Sequence, residues 1–403
     1  MVTIVDNIAL DDSATGTQTG TVGEPSVAMT GQGIFVTGNW FASRSTNGGT
    51  SWTPLDPFTE FPANTGEFCC DQLAIYVKPS RLWVWFLQYS ASAGTNIVRI
   101  AVSKTAQSGS WHWWDLRPRD VDAAWGTFAF DYPDLAVSNG NLWISTNVYD
   151  STDRWKAAAV IRYPLAELGA RGSLTRRTWT TTDVGSLRFV QGAGDTMWFG
   201  ATTAAGQPFA LFAWKDADTQ VQKWHVPTGD WNEDTYSSKG PGGVEWLSRL
   251  DSRVTGAWQA NGVLGFAWCA SPRPGRPNTY IKVIRIDQQS LTVKDEPELW
   301  SATGAWAYPA CAPNGKGQVG MTAFFGGPTH PAHAVGCLDE VAGKWDMAIS
   351  ATSTNGPGGG KWGDYLVCRA HPNRVGGWIA SGYTLDGGTD RRNIEPRVVA
   401  FSR

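Results

Sequence analysis

Short apolar runs, each closed by Gly, Asn, Asp or Pro and followed by alternating apolar and polar positions, recur along the chain as strands and turns. The clearest are Asp71-Gln72-Leu73-Ala74-Ile75-Tyr76 before Leu82-Trp83-Val84-Trp85-Phe86, and Pro133-Asp134-Leu135-Ala136-Val137 before Leu142-Trp143-Ile144-Ser145-Thr146. Weaker copies begin near Pro25, Leu187, Leu250, Pro309 and Asp364. Each unit reads as an apolar strand, a Trp-rich alternating strand, a third strand and a closing strand. Spacings of 46 to 62 residues between successive units give room for four short strands and their loops. Seven such units predict an all-β fold, a seven-bladed β-propeller of four-stranded antiparallel blades, in which sheet faces are buried against neighbouring blades and only short edges remain. The last unit offers three strands, Asp364 to Cys368, Gly377 to Gly382 and Glu395 to Ser402, so the stretch Thr3 to Leu10 is expected to supply the fourth and close the ring. The whole of 1–403 then reads as one propeller domain.

Composition agrees with that pattern and narrows the function. The chain carries 23 Trp and 46 Gly, and large side chains suit the wide gaps between blades. Basic and acidic residues number 33 and 36, for a net charge of −3, which provides no footprint for nucleic acid or for an anionic membrane. No segment approaches the roughly 18 apolar residues of a spanning helix, and Met1 to Asp6 has no basic or apolar leader region. A monomer with neither a nucleic-acid nor a membrane partner is expected. Six cysteines without Cys-x-x-Cys spacing give no zinc site, and His330 and His333 have no carboxylate nearby in sequence. No phosphate loop, nucleophile elbow or zinc-protease motif is present, so neither metal nor cofactor is expected. The adjacent Cys69 and Cys70 read either as two thiols on opposite strand faces or as a vicinal disulfide.

One hairpin carries a family resemblance. Ser45-Thr46-Asn47-Gly48-Gly49-Thr50-Ser51-Trp52 resembles the Asp-box of the bacterial neuraminidase repeat, with Asn in place of Asp. Ser103 to Trp111 is a degenerate echo at the equivalent place in the second unit. The chain is thus similar to the sialidase-like propellers, in architecture over its whole length and in motif at two hairpins. The resemblance implies sugar chemistry without fixing which. Sialidases use an arginine triad on the sialic carboxylate, a Tyr nucleophile activated by Glu, and an Asp acid. This chain departs from them, since the segment matching their first arginine reads Gly23-Glu24-Pro25-Ser26.

In a propeller the first residues of the inner strands converge on one pocket, which selects the candidates. Glu24, Asp71, Asp131, Asp134 and Asp364 are the carboxylates there, with Asp71 and Asp364 first choices for acid and for base or nucleophile, and Glu24 and Asp131 in reserve. Tyr308 is an assisting catalytic residue. Arg188, Arg249 and Arg253 are candidates for an anion fork, and on a strand Asp251 would face away from the last two. Tyr132, Asp134, Tyr365, Trp306 and Trp362 complete the substrate-binding set, the two tryptophans as sugar platforms in loops. The expectation is a secreted carbohydrate-active enzyme cleaving glycosidic bonds of an acidic or plant-type polysaccharide in the central pocket. A lyase on a uronate polymer and a non-catalytic lectin or adhesion propeller remain open.

Overall fold

The computed structural model describes residues 1–62, 66–92 and 94–403. Seven four-stranded antiparallel sheets follow one another in chain order. Blade one is Ser26–Thr30, Gly33–Gly38, Phe41–Ser45 and Thr53–Leu55. The inner strands of blades two to six are Phe68–Val77, Ala129–Val137, Arg188–Phe189, Val254–Ala260 and Ala305–Pro313. Blade seven is closed as the pattern predicts: Thr3–Ala9 pairs antiparallel with Ile394–Ser402, next to Gly377–Leu385 and the inner strand Cys368–Ala370. Joining the first strand to the last removes the open edges a linear array of sheets would leave. No helix among the described residues is long and apolar enough to cross a membrane.

Large aromatics on the second strands fill the space between blades. Trp85, Trp143, Trp268 and Trp378 are fully buried, and the Trp143 ring lies 5.4 Å from that of Trp214 in the following blade. The hairpin at Ser45 is built by short polar side chains. Ser45 Oγ accepts the Gly49 N–H at 2.9 Å, Asn47 Oδ1 accepts the Ser51 N–H at 2.9 Å, and Gly48 and Gly49 hold φ of 71° and 89°. Such positive φ is open to Gly at little cost.

The leading ends of the inner strands depart from regular ladders. Register shifts fall at Phe68/Gln72, Asp131/Asp134, Val254/Gly256 and Ala307/Ala310, all near the same mouth of the ring. Glu24, Tyr132 and Tyr308 precede Pro25, Pro133 and Pro309 and adopt φ of 43°, 56° and 55°. Left-handed backbone at bulky residues is costly and persists where the surroundings enforce it, and with the bulges it re-aims these side chains out of the strand alternation. In blade two the corresponding bulge contains Cys69 and Cys70, which are joined as a disulfide, while Cys269, Cys311, Cys337 and Cys368 are buried free thiols.

Candidate functional site

Three carboxyl groups meet at this upper mouth. Glu24 precedes the first strand of blade one, Asp71 sits on the bulge of blade two, and Asp364 lies in the loop before the inner strand of blade seven. Their exposures are 2%, 9% and 6%. Asp71 is hydrogen-bonded to Glu24. Burial and the nearby charges of Asp131 and Asp364 push Asp71 up to about 7. Glu24 is pushed well above the usual carboxylate range by burial and by Asp71 and Asp364. Two buried carboxyls in contact cannot both ionise at low cost, so the pair holds a proton near neutrality. Asn39 Nδ2 donates to Glu24 Oε2 at 2.8 Å, a contact for which the sequence carries no signal.

Asp364 is held differently. Arg249 Nη2 donates to its Oδ2 at 2.5 Å and Arg253 Nη2 to its Oδ1 at 3.3 Å. The two arginines therefore converge as the sequence suggests, but not by strand alternation. Residues 249–253 precede the strand Val254–Ala260, and Asp251 Oδ2 turns back to Arg253 Nε at 2.6 Å instead of facing away. Arg253 also stacks over Tyr132, its Cζ lying 4.0 Å from the ring centroid. Arg249 keeps 40% of its side chain exposed, whereas the Asp364 side chain beneath it is only 5% exposed.

The third candidate arginine sits deeper and is committed elsewhere. Arg188 Nη1 bonds Asp134 Oδ1 at 2.8 Å, Nη2 reaches the Tyr132 hydroxyl at 3.2 Å, and Asp134 Oδ2 accepts the Phe189 N–H at 2.8 Å. Arg188 and Asp134 are both buried, so they form an internal pair that ties blades three and four. Asp131 is exposed and accepts from Gln88 Nε2 at 2.9 Å.

Tyrosines line the floor. Tyr308, Tyr365 and Tyr383 are buried, and the Tyr308 and Tyr365 hydroxyls have no hydrogen-bond partner among the described residues, while the Gly23 backbone reaches that of Tyr383. Buried unsatisfied hydroxyls are uncommon and mark a place where another group belongs. Burial raises all three phenols well above their ordinary value, with Asp364 adding to it at Tyr308 and Asp71 at Tyr365. Burial also lifts Tyr132 to about 12. Tyr383 was not legible as a site residue, because it falls inside the strand Gly377–Leu385. It packs flush on Gly23, where a Cβ would lie 2.8 Å from Tyr383 Cδ1, and is near enough for the Glu24 charge to act on its phenol.

The two tryptophans proposed as sugar platforms are core residues. Trp306 lies within the strand Ala305–Pro313, not in a loop, and packs 4.8 Å from Phe325. Trp362 is in a loop but 0% exposed, wedged 4.8 Å from Tyr383 and 5.4 Å from Phe324. It supports the Asp364 loop from below. Two clefts flank the carboxyl cluster instead. One, of about 440 Å³, is lined by Cys69, Gln88, Asp131 and Tyr149; the other, of about 500 Å³, continues from Tyr149 past Ser186 to Arg253. Among the described residues no group of His, Cys, Asp and Glu is arranged to hold a metal ion.

No protein-family model matches the chain, and no curated protein does. Among solved structures it is similar to the GH93 alpha-L-arabinofuranosidase of Fusarium graminearum in complex with arabinobiose, with 9% identity, TM-score 0.47, and 98% of this chain and 97% of that one covered. It is also similar to the Hadza microbial sialidase Hz136, with 12% identity and TM-score 0.47, covering 80% of this chain and 68% of that one. The Trypanosoma rangeli sialidase bound to the inhibitor DANA gives 9% identity and TM-score 0.43, with 84% of this chain aligned to 60% of that one.

Proposed function

We propose that the protein is a glycoside hydrolase acting at the upper mouth of the propeller. The observation that carries this reading is the pairing of a proton-bearing carboxyl dyad, Glu24–Asp71, with a third carboxylate, Asp364, fixed by two guanidinium groups. Glycosidic cleavage needs one carboxylic acid to protonate the leaving oxygen and one carboxylate to activate water or attack carbon, and environments that separate the two roles identify the acid. Asp71 is the acid, because burial and Asp131 keep it protonated up to about 7 and it retains more exposure than Glu24. Asp364 is the base or nucleophile. Arg249 and Arg253 orient it, and the buried phenols of Tyr308 and Tyr365 lie close enough for the charges of Asp364 and Asp71 to act on them.

Two features favour a neutral, plant-type glycan over an acidic one, and hydrolysis over elimination. Arg188, Arg249 and Arg253 each pair with an internal carboxylate, which uses the charge an anion fork would need. The raised tyrosines are poor bases near neutrality. Secretion belongs to the same proposal and is supported by the Cys69–Cys70 disulfide, a bond that suits an oxidising compartment. The test is digestion of a panel of neutral, uronic and sialylated polysaccharides, read by reducing ends and by absorbance of unsaturated products. New reducing ends without unsaturation support the hydrolase. Unsaturated ends would replace it by a lyase, and retention of a glycan without cleavage would replace it by a lectin.

A further inference from the structure

The opposite mouth of the ring holds a cavity of about 570 Å³, formed by the turns that follow the inner strands. A neck of about 30 Å³, lined by Asp134, Arg188, Gln191 and Arg369, separates it from the upper site. We propose that this lower mouth is a second ligand site, which binds a small organic carboxylate with an apolar body.

The charged side chains that line the cavity are of one sign. Lys78, Arg81 and Arg369 line the cavity, and no Asp or Glu does. None of the three forms an ion pair among the described residues, whereas Arg188, Arg249 and Arg253 in the upper half all do. Arg369 is the most telling. Its Nη1 bonds Gln191 Oε1 at 3.0 Å, its Nη2 bonds the Ala74 carbonyl at 3.0 Å and its Nε bonds the Val27 carbonyl at 3.3 Å. Those contacts use three of five N–H donors and supply no counter-charge. Burial lowers this guanidinium to about 10, and the nearby Asp134 is already bound by Arg188. A guanidinium held in low dielectric by neutral partners alone gains most from an oxyanion that meets it edge-on, which is what a carboxylate presents.

The remaining lining chooses the body of the ligand. Met29, Ile75, Tyr76, Pro313, Val375 and Ile379 form apolar walls. An inorganic anion would leave those walls wetted, while an organic one covers them and gains from their burial. His371 adds a neutral donor: its Nδ1 accepts the Asn373 N–H at 3.2 Å, which leaves the ring proton on Nε2.

Hexanoate and phenylpropionate serve as probes for the full chain, with hexanol and inorganic phosphate as controls, read by calorimetric titration and thermal shift. The carboxylates are expected to bind at millimolar concentration or better, and the controls are not. Arg369→Gln should weaken binding by about 10-fold or more, the usual worth of a hydrogen bond to a charged group. Because Arg369 also clamps several blades, the exposed double variant Lys78→Ala/Arg81→Ala provides a second reading: it should melt as the parent does and bind the carboxylates several-fold more weakly. Asp71→Asn should leave this binding unchanged. The proposal is overturned if neither carboxylate binds at millimolar concentration, if hexanol or phosphate binds equally well, if the double variant binds with parental affinity, or if Asp71→Asn abolishes binding.

Discussion

Asp71→Asn should stabilise the fold while it removes activity, and the gain should widen as pH rises. In the folded protein Asp71 gives up its proton near 7, against 3.8 for an unperturbed Asp. Between those values the unfolded chain has released a proton that the folded one retains, so folding becomes less favourable as pH rises through the window. At 1.36 kcal/mol per pH unit, the cost is roughly 4 kcal/mol at pH 8 and roughly 2 kcal/mol at pH 5. Asn keeps the volume, cannot ionise, and offers Glu24 an N–H in place of the shared proton. With an unfolding entropy of about 2.1 cal/mol/K per residue over a chain of this size, the relief corresponds to about 5 °C at pH 8 and about 2 °C at pH 5. Thermal melts of parent and variant at both pH values measure it. A variant less stable than the parent at pH 8, or a gain of equal size at both pH values, would refute the argument that Asp71 is a buried, protonated acid.

Other consequences follow from the same contacts. Activity should fall as pH rises through about 7, where Asp71 loses its proton, and Asp131→Asn should move that limb to lower pH, because Asp131 is the leading like charge on Asp71; a limb that does not move in rate–pH profiles would remove Asp131 from the cluster. Asp134→Asn should cost roughly 3–5 kcal/mol in denaturant unfolding, since it strands the buried Arg188 charge, while Asp71 and Asp364 keep their surroundings. Trp362→Ala should cost a similar 3–5 kcal/mol as a core truncation. A variant of parental stability that merely bound glycan more weakly would return Trp362 to the role of sugar platform.

Much of the architecture was legible because repetition is a strong signal. Seven apolar-strand units and the spare strand at Thr3 to Leu10 suffice to predict the closed ring, and Thr3–Ala9 pairs with Ile394–Ser402 accordingly. The convergence of Glu24, Asp71 and Asp364 was also legible, since position at the head of an inner strand is a topological property. Features that depend on local backbone were not. Alternation misplaced Asp251, because residues 249–253 are a loop and its carboxylate turns back to Arg253. Residues before proline favour extended backbone, yet Glu24, Tyr132 and Tyr308 are left-handed, a choice imposed by the ring around them. Trp362 has the loop setting of a sugar platform, but the cage of Tyr383 and Phe324 that buries it comes from strands distant in sequence.

The account rests on hydrolysis by Asp71 and Asp364, and digestion in ¹⁸O-labelled water tests this most directly. With the polysaccharide cleaved most rapidly in the panel, mass spectrometry should find one ¹⁸O in each new reducing end from the parent protein, and neither product nor label from Asp71→Asn or Asp364→Asn. Unlabelled ends with unsaturated sugars, or undiminished label from both variants, would contradict it.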